Sequence, residues 1–93
     1  MSKVTITAGH DEMGSFAPEF ARLNDDVLFG EVWSSECGLS MRDRCIITVS
    51  ALMSSGILDS SLRYHIQNAK NNGVSQDEMV GILTQLAFYA GWP

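Results

Sequence analysis

The chain is short of basic residues: six Lys and Arg stand against eleven Asp and Glu in 93 residues, a net charge of −5. That balance offers nothing to track a phosphate backbone, so nucleic-acid binding is set aside. Cysteine is scarce. Cys37 and Cys45 lie eight apart, which is not a C-x-x-C pair. With two histidines in the chain and no paired Cys/His spacing, no metal site is assigned. Long apolar runs are also lacking. None approaches the roughly 20 residues of a membrane-crossing helix, and "MSKVTITAGHDEMG" has no signal-peptide core. These absences point to a soluble, cytoplasmic protein. Charged residues make up only 18% of the chain, and a domain of this length buries just about two-thirds of its unfolded surface. Both favour an interface between copies.

What is present reads as one all-α domain. Residues 1–14 read as a mobile or extended lead-in ending at Gly14, and residues 15–93 as a single domain of four helices with no strand. The first helix is expected over Ala17–Trp33, with Pro18 in its first turn and Ser15 as candidate cap. Its expected core stripe is Phe16, Phe20, Leu23 and Val27. "SSECG" breaks it. The second helix opens at "LSMRDR", with Ser40 as N-cap and Asp43 three residues on in a capping-box arrangement. It runs to Gly56 and is apolar nearly all round, as a central or interface helix would be. The third runs from the Asp59 cap to Asn72, stopped by Gly73. The fourth opens on a Ser75/Glu78 capping box. Its stripe is Met79, Ile82, Leu83, Leu86 and Tyr89 or Ala90.

On the third helix, Leu62, Ile66 and Ala69 make the core stripe, and Arg63, Gln67 and Lys70 point to solvent. Between them runs a polar strip, Ser61, His65, Asn68 and Asn72, spaced four, three and four. Such a strip lines a pocket or makes ordinary interface hydrogen bonds. His65 is the best acid–base candidate, because an imidazole takes or yields a proton near neutral pH. A packed histidine is the plain alternative. Asn72 before Gly73 also fits simple helix termination, and Asn68 could simply hold a loop.

The segments "FGEVW", "LSMRDR", "LRYHIQNAKNNG" and "YAGWP" together resemble the carboxymuconolactone decarboxylase family, over about Phe16 to Pro93. The likeness is nearer the decarboxylase branch than the alkylhydroperoxidase D-type branch. It implies an AhpD-like helical bundle assembled as a trimer or hexamer, with its site between helices and His65 at the family's histidine. It implies a cofactor-free lyase of aromatic catabolism that decarboxylates a small carboxylated γ-lactone. His65 would then donate the proton, and Asn72 or Asn68 would hold the developing oxyanion. Arg42 and Arg44 are the candidates for substrate carboxylates, although Arg42 also fits a solvent-facing first turn and Arg44 an ion pair with Glu31 or Asp43. Glu31 would orient His65 or Arg44, or else sits on a solvated helix end.

Two departures stand out. The redox branch carries C-x-x-C before the histidine, and the corresponding positions here are Leu58 and Ser61. Thiol peroxidase chemistry, which needs an attacking thiolate and a resolving partner, is therefore disfavoured. Family members also continue past "YAGWP" with one more helix, which this sequence lacks. A non-catalytic oligomeric binding protein remains a third reading. Cys45 reads as a small core residue, Cys37 has no assigned role, and Trp33 and Trp92 read as packing anchors.

Overall fold

The computed structural model describes residues 6–35 and 38–91. Every regular element among them is helical: α1 (Ala8–Met13), α2 (Pro18–Arg22) continuing as a π-helical stretch (Leu23–Val32), α3 (Met41–Ser54), α4 (Ser60–Asn71) and α5 (Gln76–Ala90). The all-α expectation holds. The chain divides into two compact units between residues 38 and 39.

In the first unit, α1 forms where the sequence read an extended lead-in. Its cap comes from far along the chain. The Asp25 carboxylate accepts the Gly9 N–H at 2.9 Å and the His10 N–H at 2.8 Å. Those are the orphan donors of a helix start, and Thr7 at the N-cap position supplies no side-chain bond to them. Gly9 is required for this approach, since a Cβ there would lie 2.6 Å from Asp25 Oδ1. Asn24 Nδ2 completes the set at 2.8 Å. Desolvation alone would push the Asp25 carboxyl up. The hydrogen bonds from Asn24, His10 and Gly9 more than reverse this and hold it below its ordinary value.

The helix expected from Ala17 is present, with Pro18 at its first position. Ser15 is not its cap: Ala17 occupies the N-cap position and no side chain bonds there. The core stripe is also different from the one expected. Ala21, Asp25, Phe29 and Trp33 are buried, whereas Phe16, Phe20 and Leu23 are exposed. Two causes act together. α1 docks on the Asp25 side through the bonds just described. The helix also widens after Arg22, so the Trp33 N–H reaches the Leu28 carbonyl five residues back at 2.8 Å, and a 3.6-residue period no longer sorts its faces. Trp33 is a packing anchor as expected, stacked on Phe29 with ring centroids 6.0 Å apart.

In the second unit, α3 is the hub that packs against both α4 and α5. Ser40 caps it, its Oγ accepting the Asp43 N–H at 3.0 Å. A cap of this kind contributes about 1 kcal/mol. Cys45 and Val49 of α3 are fully buried, joined by Ala69 of α4 and Ala87 of α5 among the core residues. Asp59 caps α4 through the Ser61 N–H at 2.9 Å. The helix ends in a Schellman motif. The Val74 N–H bonds the Ala69 carbonyl at 3.0 Å and the Gly73 N–H bonds the Lys70 carbonyl at 3.2 Å, with Gly73 at φ +93° and Val74 buried. Ser75 and Glu78 form the full reciprocal capping box of α5. The stripe expected on α5 is only partly inward. Met79, Ile82 and Leu86 are half-buried, Ala87 is buried, and Tyr89 and Ala90 are exposed.

Candidate functional site

The polar strip of α4 lies at the edge of its inward face, except for Ser61, which is exposed. His65, Asn68 and Asn72 are half-buried, while Ile66, expected in the core, is exposed. The helix turns its histidine–asparagine edge, together with Leu62 and Ala69, toward the interior of the second unit. Tyr64 meets the His65 ring edge-on, with centroids 4.9 Å apart. Burial disfavours the imidazolium and lowers the His65 pKa below its ordinary value.

The two asparagines are not equivalent. Asn72 Nδ2 donates to the Asn68 carbonyl at 2.8 Å and sits 3.3 Å from Asn68 Oδ1. A main-chain carbonyl can only accept, so this bond fixes which end of the Asn72 amide is nitrogen. It also turns the Asn68 amide oxygen toward Asn72 and leaves the Asn68 NH2 to donate elsewhere. Asn72 thus serves the end of its own helix, as its plain reading had it.

Arg42 lies at the start of α3 and makes an ion pair through Nη2 with Glu78 Oε2 of α5. It lines a groove of about 510 Å³ between these helices, beside Ile46, Ser50, Ile82 and Leu86. Glu78 was legible in the sequence only as half of a capping box. Its second partner depends on α3 and α5 lying side by side, which no local spacing encodes. His65 does not line this groove. A recess of about 570 Å³ at the α4–α5 turn contains none of the candidate side chains.

Arg44 is buried, at 9% exposure, with its Nε closed off from solvent. Glu31 stands exposed on the π-helical stretch of the first unit. Cys45 has no exposure, and desolvation pushes its thiol up, the reverse of what a reactive thiolate needs. Leu58 and Ser61 occupy the ends of the spacing where the redox branch has thiols, and both are exposed. Cys37 and Trp92 lie outside the described residues. Among the described residues, no helix is long and apolar enough to cross a membrane.

Comparison with known proteins shows the family. The profile of the carboxymuconolactone decarboxylase family matches residues 18–93. The 4-carboxymuconolactone decarboxylase of Acinetobacter baylyi (strain ATCC 33305 / BD413 / ADP1) is 32% identical over 83 residues, which cover 89% of this chain and 60% of that protein. The chain therefore spans about 60% of the length of that curated relative. A profile match running from the first turn of α2 to the last residue leaves one conclusion: the chain belongs to the carboxymuconolactone decarboxylase family.

Proposed function

We propose that the protein is a cofactor-free carboxy-lyase that decarboxylates a small carboxylated γ-lactone, with His65 delivering the proton. The observation that carries this reading is the inward-facing edge of α4, where the chain's one half-buried histidine among the described residues stands in line with Asn68 and Asn72.

The chemistry asks for three things. When the bond between the ring carbon and the carboxylate breaks, CO2 leaves and the electron pair moves through the ring alkene to the lactone carbonyl oxygen. That oxygen needs a hydrogen-bond donor where its charge develops. The ring carbon next to the carbonyl then takes a proton, which balances the reaction. The substrate is its own electron sink, so no metal or organic cofactor is called for. His65 is the proton donor and is recharged from water. Between the asparagines, Asn68 is the better oxyanion donor because its NH2 is the one left to donate. Arg42 recognises a substrate carboxylate, for which its planar fork is suited; since His65 of the same copy does not line the Arg42 groove, the two reach one substrate across copies of the homo-oligomer. Arg44, buried on α3, neutralises the second carboxylate. The working form is a homo-oligomer, a trimer or hexamer.

The buried Cys45 thiol weighs against the thiol-peroxidase alternative. The test is CO2 release from 4-carboxymuconolactone by purified protein, with His65→Ala alongside. Turnover by the wild type is expected to fall by about 10²-fold or more in the variant, the scale of a lost general acid. A folded wild type without turnover would leave a binding protein on the family scaffold. Unchanged turnover in His65→Ala would remove the assignment of His65.

A further inference from the structure

Glu78 uses both its carboxylate oxygens. Oε1 accepts the Ser75 N–H at 3.0 Å and closes the capping box, while Oε2 takes Arg42 Nη2. The cap makes Glu78 a fixed acceptor. Arg42, by contrast, is a long side chain with about 2 kcal/mol of rotamer entropy to lose when it is held. Only one nitrogen of a guanidinium with five N–H groups is engaged by Glu78. From this ion pair the groove runs along both helices, past Ile46 and Ser50 on α3 and past Gly81, Ile82, Gln85 and Leu86 on α5. Gly81 also lines the groove. It sits inside α5, where glycine costs about 1 kcal/mol relative to alanine, and a Cβ there would meet nothing. Close packing does not require a glycine at this position.

We propose that Glu78 is a positioning residue that holds the Arg42 guanidinium at the N-terminal end of the α3–α5 groove, and that this groove takes a small acid, its carboxylate on the remaining Arg42 N–H groups and its apolar body against Ile46, Ile82 and Leu86. The proposal rests on the reading of Arg42 as a carboxylate recogniser. It adds a residue and a groove that the sequence did not assign. Hydrogen-bond geometry outweighs the nearby Glu78 charge here, because the pair is partly exposed and its Coulomb field is screened.

The test separates cap from ion pair. Glu78→Gln keeps the capping bond, since Gln serves that position as well, and removes the charge from Arg42. The probe is the saturated lactone acid 5-oxotetrahydrofuran-2-acetate, titrated by calorimetry, which reads binding without turnover. Glu78→Gln is expected to weaken probe binding by about three- to fivefold, with the melting temperature unchanged. Arg42→Ala should weaken it further, and the double variant should match Arg42→Ala alone. Gly81→Leu should block the groove without touching Arg42. If the protein turns over the lactone, KM rises in Glu78→Gln while kcat holds within about twofold. Tighter or unchanged probe binding in Glu78→Gln would overturn the proposal, as would no binding by the wild type. Binding that follows Arg42, Glu78 and Gly81 in a protein without turnover would uphold the proposal while the lyase reading fails. Turnover that ignores Glu78 would do the reverse.

Discussion

His65 makes two pH dependences measurable, and they have opposite signs. Its pKa in the folded protein is lowered by burial. If the imidazolium is the proton donor, kcat/KM is present below that lowered pKa and lost above it, so the descending limb falls below the ordinary histidine value of about 6.5. A bound dianion favours the charged ring, so the kcat limb lies at higher pH than the kcat/KM limb. Stability runs the other way. Between the lowered pKa and about 6.5 the unfolded chain holds the proton that the folded one lacks, so unfolding free energy rises with pH across that window. The stability is complete above the window and declines as pH falls through it. Urea unfolding of wild type and His65→Asn at several pH values would show this slope and its loss. A kcat/KM limb above pH 7 that His65→Asn leaves in place would assign the proton to another group. At this scale much was legible in advance. The spacing of His65, Asn68 and Asn72 placed them on one edge of one helix. Glu78 and Asp25 were not legible as partners, because each meets residues from another helix.

At the scale of elements, the helices that carry their own signals were read nearly in full. Ser40, Asp59 and the Ser75–Glu78 box each cap within three residues, so local sequence contains the whole instruction. α1 was missed because its cap, Asp25, lies sixteen residues beyond Gly9, and its six residues are too few to show a period. The stripe on the following helix was misplaced because a π-helical stretch replaces the α period there. Gly9 turns this account into a prediction with an unexpected sign. By propensity alone, Gly→Ala inside a helix stabilises by about 1 kcal/mol. Here the new Cβ meets the Asp25 carboxylate, so Gly9→Ala should instead destabilise, on the order of 1–3 kcal/mol as an overpacked site. Faster amide exchange in α1, with α4 and α5 unaffected, is the expected local signature. A rise in melting temperature would mean that α1 is not docked through Asp25.

For the whole molecule, what one chain buries has to be weighed against what it leaves in water. The core residues of the second unit are mostly small: Cys45, Val49, Ala69, Val74 and Ala87. Larger apolar groups stay outside, among them Phe16 at 86% exposure, Phe20 and Leu23 in the first unit and Tyr89 at 83% in the second. A single chain of 93 residues thus shows more large apolar surface than a lone domain of its size usually tolerates. The low charge content made this tendency legible, but not which faces carry it, since Phe16, Phe20 and Leu23 of the stripe drawn as core are left exposed. If copies cover these faces, folding and assembly are linked by mass action. The melting temperature should then fall on dilution from about 100 μM to 1 μM, because a hundredfold change in partner concentration is worth about 2.7 kcal/mol per contact formed. Sedimentation at the higher concentration should give a multiple of the 10.2 kDa chain mass. Phe20→Glu places a charge in the apolar stripe of the first unit and should lower that mass without unfolding α4. A monomeric mass with a melting temperature indifferent to dilution would end the oligomer reading. The exposed phenylalanines would then be surface the chain tolerates, and any turnover would have to come from residues of one copy alone.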